Sequence, residues 1–168
     1  MRFLDEGGGG KIVIDLRLRS VAESDSEFLY SVYAATRADE INAFGWDASQ
    51  ANAFLKMQFE MRKRSYALQY PSAVTYIIVF NREPAGSMIV DRNKEHTSLT
   101  DIAVLPEFRG KGIASRLIAD LQREAGVAGV PLTLHVDKGN QNAFRLYESL
   151  GFVVTNENEL YYSMMWKA

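Results

Sequence analysis

Ile102-Ala103-Val104-Leu105-Pro106-Glu107-Phe108-Arg109-Gly110-Lys111-Gly112-Ile113-Ala114-Ser115 joins a β-branched run to an amphipathic one through a turn carrying two glycines and two cations. The strand from Thr97 to Leu105 is expected to stop at Pro106, which has no N–H to give a sheet ladder. From Gly112 to Ala125 the apolar residues Ile113, Leu117, Ile118 and Leu121 recur at three- and four-residue spacing, so a helix opens directly out of the turn. Gly110 and Gly112 admit backbone conformations and close approaches that a side chain would forbid. The first turn of a helix carries N–H groups without intrahelical partners and the positive end of the helix dipole. With Arg109 and Lys111 beside it, this is a site for an anion such as a diphosphate. A plainer reading is a softened strand-to-helix turn with two solvated cations. The residues match neither Gly-x-x-x-x-Gly-Lys-Ser/Thr nor the three-glycine dinucleotide fingerprint, so a kinase or dehydrogenase is not supported.

Outward from this turn the chain alternates strand and helix patterns. Lys11 to Arg19 sets Ile12, Ile14, Leu16 and Leu18 against Val13, Asp15, Arg17 and Arg19, the period of a strand. Ser24 or Asp25 can cap a helix bearing Phe28, Leu29, Val32 and Tyr33, and a second helix fits Ser49 to Leu68. In that helix Ala53, Phe54, Met57, Phe59 and Met61 are expected near the core side. Val74 to Phe80 and Pro84 to Val90 read as strands about the turn Asn81-Arg82-Glu83. Leu132 to Val136 is a short strand, Gln141 to Leu150 a helix, and Phe152 to Thr155 with Leu160 to Trp166 are closing strands. Hairpins early and a strand-helix-strand unit late indicate an α/β (α+β) domain. It is expected over residues 11–168, after a leader of residues 1–10 that ends in Gly7 to Gly10 and lies outside the fold.

The 168 residues include 47% hydrophobic and 24% charged residues, with a net charge of −2. Such a composition suits a soluble single domain and offers no broad basic surface for nucleic acid. Without cysteine there is no disulfide, thiolate nucleophile or Cys-ligated zinc, and a cytoplasmic location fits. The apolar runs fall well short of the ~20 residues that cross a membrane.

Arg109-Gly-Lys-Gly112-Ile-Ala114 resembles the Arg/Gln-x-x-Gly-x-Gly/Ala signature of the GNAT superfamily of N-acetyltransferases. Ala114 stands where glycine is commoner, a change the signature permits. Ile102-Ala-Val-Leu-Pro-Glu is similar to that family's fourth strand and the turn after it. Asn140-Gln-Asn-Ala143-Phe-Arg-Leu146-Tyr147-Glu148-Ser-Leu-Gly151-Phe152 resembles a second family element, in the correct order. The detailed likeness runs from Leu99 to Phe152.

This resemblance implies a mixed, mostly antiparallel sheet flanked by helices and splayed at an acyl-CoA site, between the Leu99–Leu105 and Leu132–Val136 strands. It implies acetyl-CoA as co-substrate, no metal, and acetyl transfer to a primary amine of a small molecule or peptide. Arg109, Gly110, Lys111, Gly112, Ile113 and Ala114 would hold the diphosphate. Backbone of Ile102, Ala103 and Val104 would pair with the pantetheine arm, their side chains packing in the core. Asn140 would lie beside the cofactor, and could equally be an ordinary helix cap.

Tyr147 occupies the position of a phenol that acts as general acid toward the departing thiolate, though packing with Leu146 and Leu150 would also place a tyrosine there. In the ribosomal-protein N-terminal acetyltransferases a glutamate lies twelve residues before that tyrosine; here the residue is His135. An imidazole titrating near neutrality suits a general base. A hydrogen-bonded histidine beneath the sheet, a water chain, His96 or Asp101 are the alternatives. Acceptor recognition is expected from Arg37, Asp39, Glu40, Trp46, Glu60, Tyr66 and Tyr70, which solvated helix faces explain equally well. A non-catalytic acyl-CoA sensor and an enzyme using another donor such as succinyl-CoA remain as alternatives, and a homodimer is open.

Overall fold

A computed structural model describes Arg2–Leu4 and residues 13–168. In chain order the elements are β1 (Arg2–Leu4), β2 (Val13–Ser20), α1 (Ser26–Asn42), α2 (Ala48–Gln69), β3 (Val74–Phe80), β4 (Glu83–Arg92) and β5 (Thr97–Val104). There follow α3 (Ile113–Ala128), β6 (Leu132–Asp137), α4 (Gln141–Ser149), β7 (Val153–Glu157) and β8 (Tyr161–Trp166). The sheet order is β1-β2-β3-β4-β5-β6-β8-β7. β5 and β6, joined through α3, run parallel, whereas β1–β2, β2–β3, β6–β8 and β7–β8 are antiparallel. This is the mixed, mostly antiparallel sheet with helices expected from the sequence. Within the expected leader, Arg2–Leu4 pair with Val13–Asp15; the four glycines lie outside the described residues.

The described residues group into two compact units. The first holds, of the described residues, 2–4, 13–71, 75–88 and 103–109. In it Tyr33 and Ile41 of α1 meet Leu55 of α2, with Tyr30, Phe54 and Phe59 packed around them. Asp47 caps α2 by accepting the Gln50 N–H, and the Gln50 side chain accepts the Asp47 N–H in return. The expected core side of α2 needs correction. Phe54 and Phe59 pack inward beside Ala51 and Leu55, but Met57 and Met61 are 51% and 59% exposed and Ala53 is exposed too. Apolar residues lie on more than one face of α2, so helical spacing alone could not say which face α1 would cover.

The β3–β4 turn places Asn81 and Arg82 at φ 49° and 73°, both left-handed, as a tight two-residue hairpin requires. Asn81 secures it by giving its N–H to the Asp15 carbonyl and taking the Asp15 N–H on its side chain. Gly86 allows β4 and β5 to meet closely: a Cβ there would stand 2.1 Å from the Ala103 carbonyl oxygen. The Leu105 N–H reaches the Ala85 carbonyl beside it.

The second unit holds residues 72–74, 89–102 and 110–168. Ile113, Leu117, Ile118, Leu121 and Ala125 form the buried stripe of α3, as their spacing predicts. On β6, Leu132, Leu134 and Val136 are buried and alternate with half-buried Thr133 and exposed His135 and Asp137. Their partners in β8 are Trp166, Met164 and Tyr162. Trp166 lies against Gly126 of α3, and the Tyr162 ring meets Phe144 of α4 at 5.0 Å. Opposed residues in neighbouring strands share a face. One face of this sheet region, carrying Leu132, Leu134 and Val136, is therefore the one that α3 and α4 cover. The register of β5 on β6 runs from Thr97↔Leu132 to Leu99↔Leu134, while β5 continues to Val104 and β6 to Asp137. The pairing thus ends partway along both strands, at the position expected for the splay.

Candidate active site

The turn into α3 is built by two left-handed glycines, Gly110 at φ 71° and Gly112 at φ 72°. Among the described residues, nothing lies within 4 Å of a Cβ built on Gly110, and only the Arg116 Nε, at 3.9 Å, does so for Gly112. The conformation, not crowding, requires glycine here, and the space before the turn is open. Ile113 starts the helix, and the Arg116 N–H closes its first turn on the Gly112 carbonyl. The N–H groups of Ile113, Ala114 and Ser115 precede that first bond and are directed out of the helix end. These features fit a diphosphate. Arg109 and Lys111 are exposed, but Arg109 Nε donates to the Val104 carbonyl at 2.9 Å, tying that guanidinium to the end of β5. The Ile113 side chain is buried in the α3 stripe, whereas Ala114, Ile102, Ala103 and Val104 are half-buried.

Asn140 sits at the start of α4, where its side chain accepts the Ala143 N–H at 3.1 Å. That is the helix-cap geometry. About two turns of α4 further on, Tyr147 is buried, its ring 5.9 Å from Phe152. Burial pushes the Tyr147 phenol up to about 12, with the negative charge of Asp101 adding to the effect. Asp101 lies two residues beyond Leu99 on β5, and Leu99 pairs with Leu134, so alternation puts Asp101 on the α4 side.

His135 pairs with Ser163 and projects from the opposite face, where it is exposed. The two candidates for proton transfer therefore lie on opposite sides of the sheet, on neighbouring elements of one unit. His135 is not the histidine buried beneath the sheet that a structural role would need. His96, the weaker candidate, is held in the β4–β5 turn, its N–H on the Asn93 side chain.

On the first unit Arg37 forms a two-pronged pair with Glu40 and donates to the Tyr33 hydroxyl. Arg62, absent from the sequence reading, lies over the rings of Tyr33 and Tyr66, and Tyr66 meets Tyr70 edge-on at 6.0 Å. Trp46 instead stacks on Phe44, while Asp39 and Glu60 are exposed. The structure thus gathers Arg37, Glu40, Tyr66 and Tyr70 into one cation–aromatic array and leaves the others out. Among the described residues no group of three or more His, Cys, Asp or Glu side chains could hold a metal, and no helix is long and apolar enough to cross a membrane.

Residues 30–152 match the family model described as Acetyltransferase (GNAT) family. The chain belongs to that family. Among curated relatives, N-alpha-acetyltransferase 20 of Dictyostelium discoideum is 33% identical over 104 residues, 58% of this chain and 60% of the relative. The chain spans less than two thirds of the length of each of the first curated relatives it matches. The PaiA N-acetyltransferase of Thermoplasma acidophilum, solved with coenzyme A, superposes with a TM-score of 0.68 at 16% identity, over 92% of this chain and 99% of that one. Spermidine N-acetyltransferase of Vibrio cholerae, solved with CoA and spermine, gives 0.61 at 20% identity over 90% and 95%. These likenesses carry the fold, and the GNAT acetyltransferase architecture is the fold of this protein.

Proposed function

We propose that this GNAT protein is an acetyl-CoA-dependent N-acetyltransferase whose acceptor is a primary amine of a small molecule or peptide. The observation that carries this reading is the open, left-handed Gly110–Gly112 turn leading into α3, next to a strand whose pairing stops short of its end. Arg109 to Ala114 hold the diphosphate through backbone N–H groups and the helix dipole. The backbone of Ile102, Ala103 and Val104 provides a strand edge for the pantetheine amides and an N–H for the thioester carbonyl. Relatives and neighbours named for peptide and polyamine acetylation support an amine acceptor of either kind.

The amine nitrogen must be neutral to attack, forming the C–N bond as the C–S bond breaks, with sulfur departing as a thiolate and the surplus proton on nitrogen leaving to solvent. His135, on the face opposite α4, takes the ammonium proton directly or through water, while Tyr147 serves the sulfur from the α4 side. Magnitudes decide how. The Tyr147 phenol, pushed up to about 12, is a weaker acid than an ordinary thiol of about 8.5, so outright proton delivery is unfavourable. Tyr147 therefore acts chiefly as a hydrogen-bond donor to the developing thiolate, with solvent completing its protonation.

Release of free CoA thiol from acetyl-CoA in the presence of an amine panel tests the reading. One class of amine should accelerate release well above hydrolysis, and His135→Gln should lose most activity at low pH, where more of the acceptor is protonated. Tight CoA binding with no amine accelerating thiol release would make the protein an acyl-CoA-binding domain. Faster turnover with succinyl-CoA in donor competition would change the acyl group.

A further inference from the structure

The two faces of the sheet in the second unit differ in kind. Val90, Leu99, Leu132, Leu134, Val136 and Met164 form the buried apolar core there, and the register sets Leu99, Leu132, Leu134, Val136 and Met164 on the face that α3 and α4 cover. On the other face stand Asp91, Ser98, Thr100, Thr133, His135 and Ser163. The assignment follows from pairing. The Asn93 N–H meets the His96 carbonyl, which sets Asp91 opposite Ser98 across the β4–β5 hairpin. Ser98 in turn pairs with Thr133, and His135 with Ser163. Arg92, one residue on, confirms the alternation by reaching Glu124 of α3 on the other side.

A polar face turned to water would need no comment, but this one is buried at its β4–β5 end, while His135 at the other end is exposed. Asp91 is 9% exposed and Ser98 5%. Two of its buried polar atoms, the Asp91 Oδ1 and the Thr100 Oγ1, have no hydrogen-bond partner among the described residues. A buried carboxylate oxygen without a partner is costly and rare, and calls for a ligand or a structural replacement. Carboxylate and hydroxyl oxygens together accept hydrogen bonds, which is the chemistry that holds an ammonium.

We infer that Asp91, with Thr100 on the same face, anchors a second cationic group of the acceptor, so that the preferred substrate is a diamine or a similarly dibasic amine. The inference rests on the N-acetyltransferase reading for the reacting end. His135 lies two strands across and two residues along from Asp91, just past the last β5–β6 pair, so paired-strand spacings of ~4.8 Å and ~3.3 Å make roughly 12 Å the least distance between backbones. An acceptor whose two nitrogens stand several methylenes apart spans that gap.

The test compares α,ω-diamines of increasing length with the monoamines of equal length, by thiol release and by calorimetry on the CoA-loaded protein. Wild type should prefer the diamine in kcat/KM at an optimal length, and Asp91→Asn should cut that preference at least tenfold. Asp91→Glu, which keeps the charge and extends its reach by one methylene, should retain the preference and move the optimum to a shorter diamine. A diamine preference that survives Asp91→Asn, or wild type that neither binds nor prefers diamines, overturns the anchor. Calorimetric diamine binding lost in Asp91→Asn, without amine-dependent thiol release by wild type, would support the anchor and sink the acetylation reading instead.

Discussion

Tyr147 joins burial, charge and chemistry at one residue. With its folded-state value near 12 against 10.0 for the free phenol, it stays neutral throughout the physiological range. The sign of the linkage follows: a raised value adds stability that is fully present below pH 10 and is lost as pH rises through 12. Tyr147→Phe keeps the ring and removes the titration, so by pH 11.5 wild type should lose about 2 kcal/mol more stability than the variant, read from denaturant midpoints. The same substitution should slow turnover roughly 10- to 100-fold with acetyl-CoA affinity little changed, as expected for loss of a hydrogen bond to the leaving group. Unaltered turnover where chemistry limits the rate would make Tyr147 a packing residue only. Its position on helix and in motif was legible in the sequence. The Asp101 charge behind it was not, because that depends on two strands stopping their pairing at Leu99↔Leu134.

At the scale of the element, α3 begins and ends on left-handed glycines, Gly112 at φ 72° and Gly129 at φ 69°. Neither is crowded, so alanine at either position meets mainly the conformational penalty, about 1 kcal/mol. The two ends are thus matched in strain and differ in location. Gly112→Ala and Gly129→Ala should lower stability alike, yet only Gly112→Ala should weaken CoA binding, by tenfold or more in calorimetry. Equal affinities in the two variants would remove the turn from the site. The helix itself was readable from the spacing of Ile113, Leu117, Ile118 and Leu121. The buried face of α2 was not, since Met57 and Met61 are as apolar as Phe54 and only contact with Tyr33 and Ile41 of α1 selects among them.

For the whole molecule, a ligand that binds the folded state alone stabilises it by mass action. Coenzyme A at about a hundred times its dissociation constant adds roughly 2.7 kcal/mol, which for a chain of this size raises the melting temperature by about 5–10 °C. The shift should grow with the logarithm of CoA concentration and shrink in Gly112→Ala. A melting temperature insensitive to CoA would contradict the cofactor assignment for the fold as a whole.

What the sequence determined by itself is local and periodic: the Gly-x-Gly turn, the stripe of α3, the alternation of β6, the cap at Asn140. Each is set by residues within a few positions, where backbone conformation and side-chain period act directly. What only the tertiary structure decided is which faces close and which polar groups they trap. Gly86 reads as an ordinary strand glycine until the Ala103 carbonyl comes within 2.1 Å of its missing Cβ. Asp91 lies on a hairpin strand opposite Ser98, and only the pairing of Ser98 with Thr133, far along the chain, sets that hairpin inside the sheet. Burial depends on neighbours distant in sequence, so the partners that would satisfy or orphan a group are settled only when the sheet assembles.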